Sequence, residues 1–206
     1  MTKETMLFPT APGSTDMAIP NDLADSMIKA GNAADAGSVN YLKFTKQGEW
    51  VFGRDNDEVD KDEILAVNPM SFTVGWQGWK EGTPVDGPVL PIHQAADLPM
   101  ESELEKIPAG DMNGWSKQLG VGVKSMDDGT VLQFNSTSRG GKQAITKLMR
   151  EIGLGMKAHP NEPVALVKLS SDSYKHKTYG NINTPILNIV GWADGAGKEN
   201  KKLVAA

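Results

Sequence analysis

The sequence predicts an α+β fold that is mainly β: a strongly curved antiparallel sheet or small barrel of about six to eight strands, with one well-defined packed helix over about residues 142–152. Three observations predict it. Residues 40–135 break into short runs rich in Val, Ile, Phe and Trp, separated by Gly, Pro, Asn and Asp. Branched and aromatic side chains suit a half-buried pleated surface, and the punctuating residues suit turns. The clearest helical period is Ile145, Leu148, Met149 and Ile152, one buried face of a single helix. Toward the C-terminus two apolar runs, 164–169 and 186–190, flank a polar segment in which lysine, tyrosine and histidine lie close together.

Each element follows in order. Residues 1–38 carry Pro9, Pro12, Gly13, Pro20, Gly31 and Gly37 among small and polar residues and read as an N-terminal arm. It holds one short helix-like run, 21–30, with Leu23, Met27 and Ile28 as its stripe. The body, 39–194, opens with a hairpin over 39–53: Leu42 and Phe44 face one side, Gly48 supplies the positive φ of a short turn, and Trp50 and Phe52 continue the second strand. The acidic loop 54–63 contains Asp55, Asp57, Asp60 and Asp62. It departs from a calcium loop, because Val59 stands fifth and Asp60 stands where the sixth-position glycine belongs, so it reads as a solvated turn.

Runs 64–67 and 71–79 read as strands divided by Asn68-Pro69, with Phe72, Val74 and Trp76 on one face and Trp79 on the other. Residues 80–113, rich in Pro, Gly and acids, read as a long loop insertion with a helix-like run at 100–106. In 115–123 Leu119, Val121 and Val123 share one face, while Gly120 and Gly122 leave room on the other for a backbone or a ligand. Asp128-Gly129 marks a hairpin turn into 130–135. Ser138 is placed to cap the helix and Gly153 to end it in a left-handed conformation. Between the last two strands, an extended segment would put Lys175, Lys177 and Tyr179 on one face and Tyr174, His176 and Thr178 on the other. Residues 195–206 read as a C-terminal tail.

Composition excludes whole classes of chemistry. With 39% hydrophobic and 23% charged residues, 206 residues make a single globular domain with appendages rather than a disordered chain. The absence of cysteine removes disulfides, thiolate zinc sites and cysteine nucleophiles. No run is apolar enough to span a bilayer, and the N-terminus lacks a basic region before an apolar core, so a cytoplasmic protein away from membranes is expected. His93, His159 and His176 show no metal-ligand spacing, no GxSxG elbow occurs, and Glu101, Glu103 and Glu105 alternate without a catalytic pattern. The expectation is a non-enzyme with no catalytic residue, cofactor or metal.

Charge distribution points to a ligand. The net charge is −5, yet acids concentrate between residues 49 and 111, whereas 124–177 carries a basic surplus including Arg139, Lys142, Lys147, Arg150, Lys157, Lys168 and Lys175. The segment Ser138-Arg139-Gly140-Gly141-Lys142 joins free backbone N–H groups to two cations at a helix entrance, although it is no Walker A loop. Aromatics interleaved with cations suit single-stranded nucleic acid, which is held by backbone neutralisation and by stacking of bases on rings. The candidate stacking residues are Trp50, Phe52, Trp79, Phe134, Tyr174 and Tyr179, with Trp115 and Trp192 as further rings; the candidate phosphate ligands are Lys117, Arg139, Lys142, Lys168, Lys175 and Lys177. Core packing competes for every ring, and the lysine–tyrosine segment 174–179 is the sharpest candidate.

The order WVFG, AVNPMSF, GW and W, a Pro-rich insertion, LGVGV, SRGGK, PVALVKLSSDSYKHKTYG and TPILNIVGW resembles an uncharacterised family of tailed-bacteriophage and prophage proteins, over about residues 41–194. That family's layout is similar to phage single-stranded-DNA-binding proteins with an OB-like barrel. The resemblance implies DNA replication or recombination in the host-cell cytoplasm, with single-stranded DNA and phage replication or recombination proteins as partners, and it leaves a homo-oligomer open. Many such proteins end in an acidic tail, whereas this chain ends GKENKKLVAA. The alternative expectation is a virion structural or host-interaction, anti-defence protein that binds another protein.

Overall fold

Strands that alternate apolar and polar residues leave one face of a sheet to bury, and a curled sheet buries it against itself and one helix. The computed structural model describes residues 40–107 and 114–195. The N-terminal arm with its run 21–30, and the tail beyond 195, lie outside the described residues. Among the described residues ten strands form one sheet: β1 (Asn40–Phe44), β2 (Trp50–Phe52), β3 (Asp57–Glu58), β4 (Leu65–Val67), β5 (Thr73–Lys80), β6 (Thr83–Pro91), β7 (Gly114–Ser125), β8 (Val131–Ser136), β9 (Val164–His176) and β10 (Gly180–Ala193). Among the described residues one α-helix, α1 (Arg139–Ala158), connects β8 to β9. The fold is α+β and mainly β, a strongly curled open half-barrel consistent with the expected OB-like layout.

The strand order is β10-β9-β4-β7-β8-β1-β2-β3, with β5 on the N-terminal half of β7 and β6 on β5. All pairings are antiparallel except β1 with β8, which is parallel. The long strand β7 thus carries β5 and β4 in succession along one edge and β8 along the other. Where β5 gives way to β4, Ser71 fills the break: its Oγ accepts from the Gly122 N–H at 2.8 Å and donates to the Gly122 carbonyl at 3.1 Å. The face of β7 that holds Gly120 and Gly122 is covered by side chains of the same sheet, Asn135, Thr73 and Gln133 over Gly120 and Ser71 over Gly122, so the room those glycines leave is taken.

The core gathers Leu42, Leu65, Val67, Val121, Val123, Leu132, Ala165, Val167 and Leu187 from the strands with Ile145, Leu148 and Ile152 of α1. Full burial of each of those three helix side chains contributes about 1.5–3 kcal/mol. Gly48 adopts φ +91° in the first hairpin and Gly129 +79° between β7 and β8, as the turn chemistry requires. Asp128 holds that second turn: Oδ1 accepts from the Thr130 N–H and Oδ2 from its hydroxyl, both at 2.8 Å. The Thr130 backbone contact, then its hydroxyl, then Ser125 lower the Asp128 carboxyl below its ordinary value of 3.8.

Three expectations are corrected. Residues 83–91 of the expected loop insertion form β6, which among the described strands pairs with β5 alone; an edge strand tolerates prolines, and Pro88 falls in the register shift opposite Gly75–Gln77. The run 100–106 yields only a short 3₁₀ turn, Glu101–Glu103. The helix runs from Arg139 to Ala158 rather than over 142–152, and Gly153 is interior. Ser138 does cap it, accepting from the Gly141 N–H at 3.0 Å, but the C-cap is His159. An interior glycine costs about 1 kcal/mol relative to alanine, which packing of the face above outweighs.

Candidate nucleic-acid interface

Strands β9 and β10 form one long hairpin, paired from Val164↔Ala193 to His176↔Gly180 with a bulge at Val190. Three residues, 177–179, make its loop, and Gly180 takes φ +74°, the left-handed position that closes a three-residue hairpin. Near its base β9 and β10 are buried, with Ala165, Val167, Leu169 and Leu187 in the core. From Ser171 to Asn181 every residue is exposed except His176, which is half-buried. Exposure of both alternating faces marks a projecting arm, tied to the first hairpin at Asn183, whose Nδ2 donates to the Lys46 carbonyl at 2.8 Å and whose side chain lies against Gly48. From Ser171 to His176 the arm is about 16 Å long, five steps at the rise of a strand.

The arm sorts its residues by face. Tyr174, opposite Ile182, is 49% exposed. Tyr179, in the loop and 76% exposed, folds back so that its ring stacks on His176, with centroids 4.9 Å apart and planes at 29°. Tyr179 therefore joins the side of Tyr174 and His176, not that of Lys175, because the strand ends at 176 and the loop reverses the alternation. His176 Nδ1 accepts from the backbone N–H groups of Thr178 at 3.1 Å and Tyr179 at 3.3 Å, which places the proton of the neutral ring on Nε2 and fixes the loop. Lys175 lies opposite Asn181 on the other face, and Lys177 sits in the loop; both are exposed.

At the foot of the arm, α1 meets β10. Gly140 lies against Thr184 and Pro185, so that a methyl group there would sit 3.2 Å from Thr184 Cγ2, and Gly155 lies against the Trp192 ring. The helix therefore runs along β10, with exposed Arg139 and half-buried Lys142 starting beside the arm.

The other candidate residues go elsewhere. Trp50, 6% exposed, and Phe134, 2% exposed, meet edge to face in the core at 4.9 Å, leaving no ring face for a base. Trp50 Nε1 donates to the Ser170 carbonyl at 2.8 Å, a clasp across the open side of the half-barrel. Phe52 is half-buried against the same core. Lys168 is paired with Asp62 at 3.0 Å. Trp79, 36% exposed, and Lys117 belong to the β5–β7 region. Val67 pairs with both Val123 and Ala165, so β7 leads from that level toward Lys117 in the direction opposite to that of β9 toward the arm. Trp115 and Trp76 each anchor the segment before β7, donating Nε1–H to the carbonyls of Glu105 and Pro99 at 2.9 Å.

The structure thus brings together Tyr174, Lys175, Lys177 and Tyr179, with Arg139 and Lys142 at the arm's foot. His176 falls inside the expected segment and on the face of Tyr174, but its role as stacking partner of Tyr179 and anchor of the loop is not read from the sequence; the signal for it is the Tyr-Gly step at 179–180, which turns the chain back on residue 176. No family model, no curated protein and no solved structure matches the chain. Among the described residues, no helix is long and apolar enough to cross a membrane.

Proposed function

We propose that the chain is a non-catalytic single-stranded-DNA-binding protein of a phage replication or recombination module, working in the host cytoplasm, with the β9–β10 arm as its contact. The observation that carries this reading is an arm exposed on both faces, with two tyrosine rings on one side and two lysines beside them. Rings at 49% and 76% exposure offer unpaired bases a π-face independent of sequence. Lys175 and Lys177, with Arg139 and Lys142 at the foot, neutralise the backbone of the same strand.

Fluorescence anisotropy of labelled poly-dT tests it. Tyr174→Ala with Tyr179→Ala removes two stacks of about 1–3 kcal/mol each, a loss of at least tenfold in affinity. Lys175→Ala with Lys177→Ala lowers the slope of log affinity against log salt by roughly 1.4. Unchanged affinity in the first variant, or an unchanged slope in the second, removes the arm from the reading. A virion or host-interaction role is favoured by one observation, the exposed acids Asp55, Asp57, Glu58, Asp60 and Asp62 gathered between β2 and β4. A large symmetric assembly by mass measurement would support it.

A further inference from the structure

Helix α1 differs in charge from the rest of the chain. Between Arg139 and Ala158 it holds five cations against a single acid, Glu151, in a protein of net charge −5. Ile145, Leu148 and Ile152 point into the core. At 3.6 residues per turn, positions 139, 143, 146, 147 and 150 then fall on the opposite side, with Lys142 at its border. A shallow groove of about 370 Å³ runs along that side, lined by Arg139, Lys142, Gln143, Thr146, Lys147 and Arg150. The exposed Lys147–Glu151 contact, 3.8 Å long, offsets little of this charge.

The chemistry of the stripe selects its occupant. No Phe, Tyr or Trp occurs in α1, so no ring is present there for a base to stack on. What remains is guanidinium, ammonium, amide and hydroxyl donors, the groups that hold phosphate oxygens and carry no sequence information. From Arg139 to Arg150 the stripe is straight and about 16 Å long at the rise of a helix. A duplex strand presents a phosphate about every 3.4 Å of axis but winds away from a straight rod, so a rod of this length reaches roughly two or three of them.

We propose that the outer face of α1 is a base-blind binding site for the backbone of duplex DNA. The site goes beyond the arm and does not rest on it: the arm takes unpaired bases, and α1 takes the regular backbone of paired DNA. A protein with both holds a junction between single and double strands.

The test uses the full chain and a labelled random-sequence duplex of about 20 base pairs, titrated from low to moderate salt. Replacing Lys147 and Arg150 together by Gln, and leaving Arg139 and Lys142 beside the arm in place, keeps helix propensity, so the melting temperature should stay at the wild-type value. Duplex affinity at low salt should fall at least tenfold, and the slope of log affinity against log salt should shrink by roughly 2. Tyr174→Ala/Tyr179→Ala should leave duplex affinity within about twofold, because α1 has no part in stacking. Three results would overturn the proposal: no duplex binding by the wild type at low salt, an unchanged slope in the glutamine variant, or poly-glutamate displacing the duplex at equal charge, which would give the face to an acidic protein. Loss or retention of poly-dT binding in the tyrosine variant bears on the arm alone, so the two readings fail separately.

Discussion

Replacing Trp50 by Phe takes one hydrogen bond and part of one ring out of the seam of the half-barrel. The Nε1–H bond to the Ser170 carbonyl is 2.8 Å and part-buried, and such a bond contributes about 0.5–1.5 kcal/mol. A phenyl ring retains edge contacts with Phe44 and Phe134, now at 5.1 and 4.9 Å, but leaves space where the larger indole stood, at about 1–2 kcal/mol. Together these give a loss of about 1.5–3.5 kcal/mol, or roughly 3–14 °C in Tm for a chain of this size. Ser170 borders an open groove, so water replaces the lost donor and keeps the loss near the lower end. Melting is followed by far-UV circular dichroism, since the substitution removes an indole, and poly-dT affinity is measured on the same preparation. Affinity should stay within about twofold of wild type, because a ring in the core stacks no base. A Tm that does not move, with poly-dT affinity down tenfold, would refute the placement of Trp50 as a clasp and return it to the binding surface.

Two glycines of α1 should respond with opposite signs. Nothing lies within 4 Å of a methyl group added at Gly153, so Gly153→Ala should raise stability by about 0.5–1 kcal/mol, whereas Gly155→Ala drives its methyl into the Trp192 ring and should lower it by about 1–3 kcal/mol; urea melts read both. Asp128 should make stability depend on pH. Its folded carboxyl is lowered, so its contribution is fully present above 3.8, the ordinary aspartate value, and disappears as the pH falls through the lowered one. Melting curves of wild type and Asp128→Ala should therefore differ at neutral pH and converge in strong acid.

Much of the sheet is legible because strand period and turn chemistry are local. Gly48, the Asn68-Pro69 step, Asp128-Gly129 and Ser138 all act where their residue types predict. What fails is what depends on partners far along the chain. The prolines of β6 read as loop residues until β5 is known to be its one neighbour among the described strands, which places it at an edge of the described sheet. Gly153 reads as a terminator until β10 is seen to run the length of α1 and hold its last turns through Trp192. The parallel pairing of β1 with β8 joins residues about ninety positions apart and leaves no local mark.

The site divides along the same line. Alternation tells which residues share a face but not which face a curled sheet turns inward, so Trp50 and Phe134 carry the same strand signal as a stacking platform and lie in the core. Cations are equally indistinct in sequence: Lys168 is held by Asp62, and Lys43 donates to the Gly53 carbonyl and Asn56 Oδ1, while Lys175 and Lys177 stand in solvent. The lysine–tyrosine segment was readable because it has no core alternative. Between two strands that bury their own apolar residues it offers no aliphatic side chain except Ile182, so its rings have little of their own to pack against. A tyrosine in such a segment stays exposed unless another part of the chain covers it, and the hairpin carries Tyr174 and Tyr179 away from the body rather than toward it.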